Sequence, residues 1–80
     1  MKYVYKLHIK IIYGEPGDSF TVYGAMCTLN NNVIQTIEDI FFDIHKAIDF
    51  IELCNRVNLH PDYFEDMARN AVEEQYRITQ

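Results

Sequence analysis

Five side chains in this 80-residue sequence are of the types that bind soft metals: His8, Cys27, His45, Cys54 and His60. Imidazole and thiolate donors suit tetrahedral zinc, which takes four of them. Such sites usually contain a close pair, C-x₂-C or H-x₃-H, and this chain has none. His45 and Cys54 are nine residues apart, which puts them on opposite sides of an ideal helix. The plain alternative is core packing for the two cysteines, since free cysteine is among the most buried residue types, and a structural role for the histidines. No cofactor is expected, and a zinc-stabilised binding module is only a third reading.

Carboxylates offer a second kind of chemistry. Glu38-Asp39, Glu65-Asp66 and Glu73-Glu74 are adjacent acids. Acid–base catalysis needs two acids across a cleft with their pKa values pushed apart; these are expected on solvated helix faces or in a loop. Glu65, Arg69, Glu73 and Arg77 recur every four residues with alternating sign, the spacing that stabilises an exposed helix face. Beside them runs a less neutralised row, Asp62, Asp66, Asn70 and Glu74, next to an outward-leaning Tyr63. Tyrosine supplies large contact area at low entropic cost, so a tyrosine among acids can anchor an interface. Asp62, Tyr63, Asp66, Glu73 and Glu74 are therefore the candidate partner-binding residues, with a merely solvated face as the alternative. Ser19 is the only serine, and Gly14, Gly17 and Gly24 do not form a phosphate loop. No nucleophile, base and orienting group come together, so an enzyme is not expected.

The elements that position these residues follow from periodicity. Met1 to Tyr13 alternates with period two, with Tyr3, Tyr5, Leu7, Ile9, Ile11 and Tyr13 on one face. Gly14-Glu15-Pro16-Gly17-Asp18 is a turn signal, a second strand is predicted from about Ser19 to Leu29, and Asn30-Asn31-Asn32 suits a second hairpin turn. Val33 to Ile37 is predicted as a short third strand. After Ile40 the period becomes helical. Ile44, Ala47, Ile48, Ile51 and Cys54 form an apolar stripe, with Asp43 placed to cap it and Asn58 to stop it. Pro61 suits the first turn of a second helix, on which Phe64, Met67, Ala68, Ala71, Val72 and Gln75 share a side. The last few residues are expected to fray. The prediction is one α+β domain over residues 1–80: a three-stranded antiparallel sheet with two helices packed on one face, a two-layer sandwich. The second strand is apolar in both phases, Phe20, Val22 and Met26 in one, Tyr23, Ala25 and Cys27 in the other. The set turned away from the helices lies either beneath long lysine side chains or against a second molecule.

Charge is divided along the chain. Lys2, Lys6 and Lys10 precede any acid, whereas ten acids from Glu38 onward face four basic residues, for a net charge of −5. That balance disfavours direct nucleic-acid binding and anionic membranes and favours a basic protein partner. The lysines also guard an edge strand. Two cysteines, no signal peptide and no long apolar run point to a reduced, cytoplasmic protein.

Tyr23-Gly24-Ala25, Ile37-Glu38-Asp39-Ile40, Leu53-Cys54-Asn55, Leu59-His60-Pro61 and Asp66 resemble a family of short uncharacterised proteins of Gram-positive bacteria and their mobile elements. The resemblance covers roughly residues 20 to 76. It departs at Phe41-Phe42 and after Met67, and it brings no catalytic residues with it. It implies a bacterial or phage origin. By size, acidity and lack of catalytic motifs alone, the chain is also similar in general character to phage inhibitors of host defence nucleases, the anti-CRISPR proteins. The expectation is a non-enzymatic inhibitor of that type, occupying a basic surface of a nucleic-acid-handling protein. A homodimeric accessory protein that buries the Val22 and Met26 face of its sheet is the alternative.

Overall fold

Alternating residues become strands and the 3.6-period stripes become helices in the computed structural model, which describes residues 2–78. Strand β1 spans Tyr3–Tyr13, β2 Ser19–Leu29 and β3 Asn32–Phe41; helix α1 spans Ile44–Arg56, and a 3₁₀ turn at Pro61–Tyr63 leads into α2, Phe64–Ile78. The sheet is antiparallel in the order β1-β2-β3, and both helices pack on the same face. Asn30 and Asn31 both have positive φ (53° and 67°), the conformation a two-residue hairpin turn demands.

Helix ends follow the capping logic. The Asp43 carboxylate accepts from the His45 N–H at 2.8 Å and starts α1. Asn58 turns left-handed (φ 50°) after it, and the Leu59 N–H reaches back to the Cys54 carbonyl at 3.0 Å. The core joins Tyr5, Ala25, Cys27, Ile40 and Phe41 of the sheet to Ala47, Phe50, Ile51 and Cys54 of α1 and to Phe64 and Ala68 of α2. Tyr5 meets Phe64 edge-on at a centroid distance of 5.0 Å, and Phe41 meets Phe50 at 5.6 Å. The Gln75 side chain secures α2 by donating to the Ile40 carbonyl at 2.6 Å.

Strand β3 differs most from expectation. It continues past Ile37 to Phe41, so Glu38 and Asp39 lie on a strand and not in a loop. Two irregularities interrupt it. Between Tyr23↔Phe41 and Ala25↔Ile37, β3 spends two more residues than β2, and the excess backbone folds over Gly24. A Cβ on Gly24 would overlap the Ile37 carbonyl oxygen and come within 2.7 Å of the Glu38 carbonyl carbon. Only a residue without a side chain fits there.

That crossing accounts for the face of β2 turned away from the helices. Lys10 Nζ reaches Glu38 Oε2 across it at 3.5 Å, and Phe20 pairs with Phe42 at a centroid distance of 6.3 Å. Val22, between Phe20 and Gly24 in the same phase, is fully buried within the one chain. Val22 therefore needs no second molecule to cover it, whereas Phe20 on the same face stays 50% exposed and Met26 is half-buried.

The first strand is also covered unevenly. Eleven residues of strand extend about 36 Å, whereas the thirteen of α1 extend about 20 Å. The helices cover the Tyr3–Leu7 end. Ile9, Ile11 and Tyr13, predicted on the buried face, are 55%, 52% and 78% exposed on a projecting hairpin arm. The molecule is accordingly elongated, 45 × 31 × 19 Å.

Asn55 of α1 closes the outer edge of β1 at one residue. Its Oδ1 accepts from the Tyr5 N–H at 2.8 Å, and its Nδ2 donates to the Tyr5 carbonyl at 3.0 Å. A single side chain thus reproduces the bond pair of a neighbouring strand. The Tyr5 hydroxyl donates to the Leu59 carbonyl at 2.7 Å, tying the same residue to the loop after α1.

Candidate functional site

The candidate partner-binding residues sit where the chain enters and follows α2. His60 caps that entry: its Nδ1 accepts from the Asp62 N–H at 3.1 Å, its ring packs edge-on against Tyr3 at 5.3 Å, and Pro61 follows as the first residue of the 3₁₀ turn. Next, Phe64 and Ala68 turn inward and are buried, which forces Asp62, Tyr63 and Asp66 outward. Tyr63 is 63% exposed, and the Asp62 and Asp66 side chains are more exposed still.

Glu73 and Glu74 are exposed as well, but at the other end of the helix. Eight residues separate Asp66 from Glu74, about 12 Å along the axis. Glu74 lines a shallow cleft against α1 with Phe41, Lys46, Asp49, Ala71 and Gln75. The five residues thus form a group of three at the start of α2 and a pair two turns later. Glu74 lines that cleft without the other four, an arrangement that suits surface contact.

The row Asp62, Asp66, Asn70, Glu74 is better neutralised than its spacing suggests. Arg69 Nη1 bonds Asp66 Oδ1 at 3.2 Å while its Nη2 approaches Glu65 at 3.8 Å, and Arg77 lies 3.8 Å from Glu74. Three-residue spacing brings side chains together as readily as four-residue spacing. Such exposed pairs contribute about 0–1 kcal/mol each, so a partner's cations can displace them.

The metal-type residues are scattered. Cys27 and Cys54 are buried in the core, His45 is exposed on the first turn of α1, His60 is the cap, and His8 lies opposite Gly24 with its Nδ1 buried and without a hydrogen-bond partner. Among the described residues no three His, Cys, Asp or Glu side chains gather as a metal would require. Burial, followed by the neighbouring Cys27, pushes the Cys54 thiol up to about 11 from an ordinary value of 9.0. A thiol held protonated in this way is a poor nucleophile at neutral pH.

That shift has a measurable consequence. Between pH 9 and 11 the unfolded chain has released the Cys54 proton while the folded chain retains it. Stability contributed by this group is therefore complete below pH 9 and lost as pH rises towards 11. Burial also raises the Tyr5 hydroxyl, so its contribution has the same sign. Urea midpoints measured across this range should fall with pH, and a Cys54→Ala variant should show a shallower decline.

One groove had no local sequence signal. About 400 Å³ opens between β3 and α2, floored by Ile37, Ile40, Ala68 and Val72 and rimmed by Asp39, Glu65 and Arg69. Its walls come from segments some thirty residues apart, so only the packing of α2 against β3 creates it. No family model, curated protein or solved structure matches the chain. Among the described residues no helix is long and apolar enough to cross a membrane.

Proposed function

We propose that the chain is a non-enzymatic protein-interaction module, an inhibitor of the phage type, whose acidic α2 surface occupies a basic surface of a nucleic-acid-handling protein. The observation that supports it is the joint exposure of Asp62, Tyr63 and Asp66 on a segment pinned from beneath by Phe64 and Ala68. From Pro61 to Arg77 the chain carries five acids against two arginines, a large share of its net charge of −5. A rigid acidic ridge offers carboxylates where a groove built for phosphates expects them, and such complementarity raises association rates and sets register. Tyr63 adds apolar contact area beside the charges. The resemblance to short proteins of mobile elements agrees with this reading.

Asp66→Lys, Glu74→Lys in one chain reverses both ends of the ridge without touching a buried residue. With an unchanged circular dichroism spectrum, this variant should bind its target at least about 30-fold more weakly, because like charges then face each other across the contact. Capture from nuclease-treated bacterial lysate supplies the target, and titration of the recovered nucleic-acid-binding protein supplies the affinity. Equal affinity of the native chain and the folded variant would remove the proposal.

A further inference from the structure

We infer that the outer edge of β1 is a self-association surface, at which two copies of this chain pair antiparallel into one six-stranded sheet. β1 is an edge strand. The Asn55 bonds show that the Tyr5 N–H and C=O point away from β2. The regular register of β1 therefore turns the same groups of Leu7, Ile9, Ile11 and Tyr13 outward. Among the described residues nothing pairs with those four. Beside this row of free donors and acceptors stand Ile9, Ile11 and Tyr13, each more than half exposed. A long, regular, apolar edge of this kind is a template for another strand.

Charge complementarity selects a second copy as that strand. β1 carries Lys6 and Lys10, with Lys2 just before it, and no acid, while the turn that follows carries Glu15 and Asp18 and no base. Antiparallel self-pairing brings the acidic tip of each copy beside the basic half of the other. A two-fold axis at Ile11 sets Ile11 against Ile11, Ile9 against Tyr13 and Lys10 against Ile12, and it brings the turn of each copy, with Glu15 and Asp18, towards Lys6 of the other. Moving the axis to Lys10 would place two lysines face to face, which opposes pairing. Moving it to Ile9 would drive Tyr13 onto Tyr5, whose edge Asn55 already occupies. An axis at Ile12 would pair only Ile11 to Tyr13 of each strand, so the Ile11 axis gives the longest pairing that Asn55 and the lysines allow, and an isologous contact of this kind closes at two copies. No residue of α2 takes part, so this inference stands or falls separately from the proposed function.

Sedimentation equilibrium of the full chain should give twice the 9.5 kDa chain mass. Ile11→Lys, which sets two lysines together on the axis, should leave the circular dichroism spectrum unchanged and return a monomer. Phe42→Lys, at a residue 61% exposed on the opposite face of the sheet, should leave the dimer intact. A native chain that is monomeric at every soluble concentration overturns the inference. So does a dimer that survives Ile11→Lys, a dimer lost equally on Phe42→Lys, or growth into open aggregates.

Discussion

Gly24→Ala should cost at least about 3 kcal/mol of stability, more than an added methyl group usually costs on a sheet. The new carbon would overlap the Ile37 carbonyl oxygen and crowd the Glu38 carbonyl group, with its carbon at 2.7 Å and its oxygen at 2.8 Å. These are backbone atoms, so no rotamer change relieves the clash. The Ile37–Glu38 crossing must lift, and with it the Lys10–Glu38 and Phe20–Phe42 contacts that lie across the same face. Val22, fully buried in that phase, would gain solvent. An 80-residue domain has roughly 4–12 kcal/mol of total stability, so this one methyl group uses up a large fraction of it. Urea denaturation should show a large drop in midpoint. A stability within about 0.5 kcal/mol of the native chain, the range of ordinary surface substitutions, would mean that β3 does not cross Gly24 as described.

The second large effect is expected at Phe64. Its ring is fully buried and meets Tyr5 edge-on at 5.0 Å, joining the start of α2 to β1. Truncation to alanine should cost about 3–5 kcal/mol, the sum of lost apolar transfer and the cavity left behind. Phe64→Leu keeps most of the volume and should cost under about 2 kcal/mol. The pair separates packing from position. Because Phe64 follows directly on Tyr63, its truncation should also loosen the ridge that presents Asp62, Tyr63 and Asp66, whereas Phe64→Leu should leave the ridge in place. Hydrogen exchange at the amides of residues 61–66 reads this directly: faster exchange in Phe64→Ala than in Phe64→Leu is the expected order, and equal exchange would separate the ridge from its anchor.

Much of the architecture is legible in the residues themselves. Period-two alternation marks β1, β-branched and aromatic content marks β2, and Asp43, Asn58 and Pro61 mark helix boundaries by backbone chemistry that needs no partner. The inward set of α2, from Phe64 to Gln75, is read directly from its spacing. What could not be read locally depends on two elements meeting. Glu38 and Asp39 look like loop residues because adjacent acids are rare inside strands; they belong to β3 because the strand bulges over a glycine fourteen positions earlier. Ile9, Ile11 and Tyr13 continue the alternation of Tyr5, but their exposure depends on where the helices end. At the candidate site the exposure of Asp62, Tyr63 and Asp66 follows from helical phase. Arg69 reaches Asp66 three residues away as well as Glu65 four away, a pairing that four-residue spacing alone does not show.

The Asn55 bonds to Tyr5 span 50 positions of chain, and that separation matters while the protein is being made. β1 leaves the ribosome before α1, so the residue that closes its edge at Tyr5 is added 50 residues later. At about 5–20 residues per second the interval is roughly 3–10 s. During it the Tyr5 N–H and C=O are open as well, and the like charges of Lys2, Lys6 and Lys10 oppose out-of-register pairing with other nascent strands.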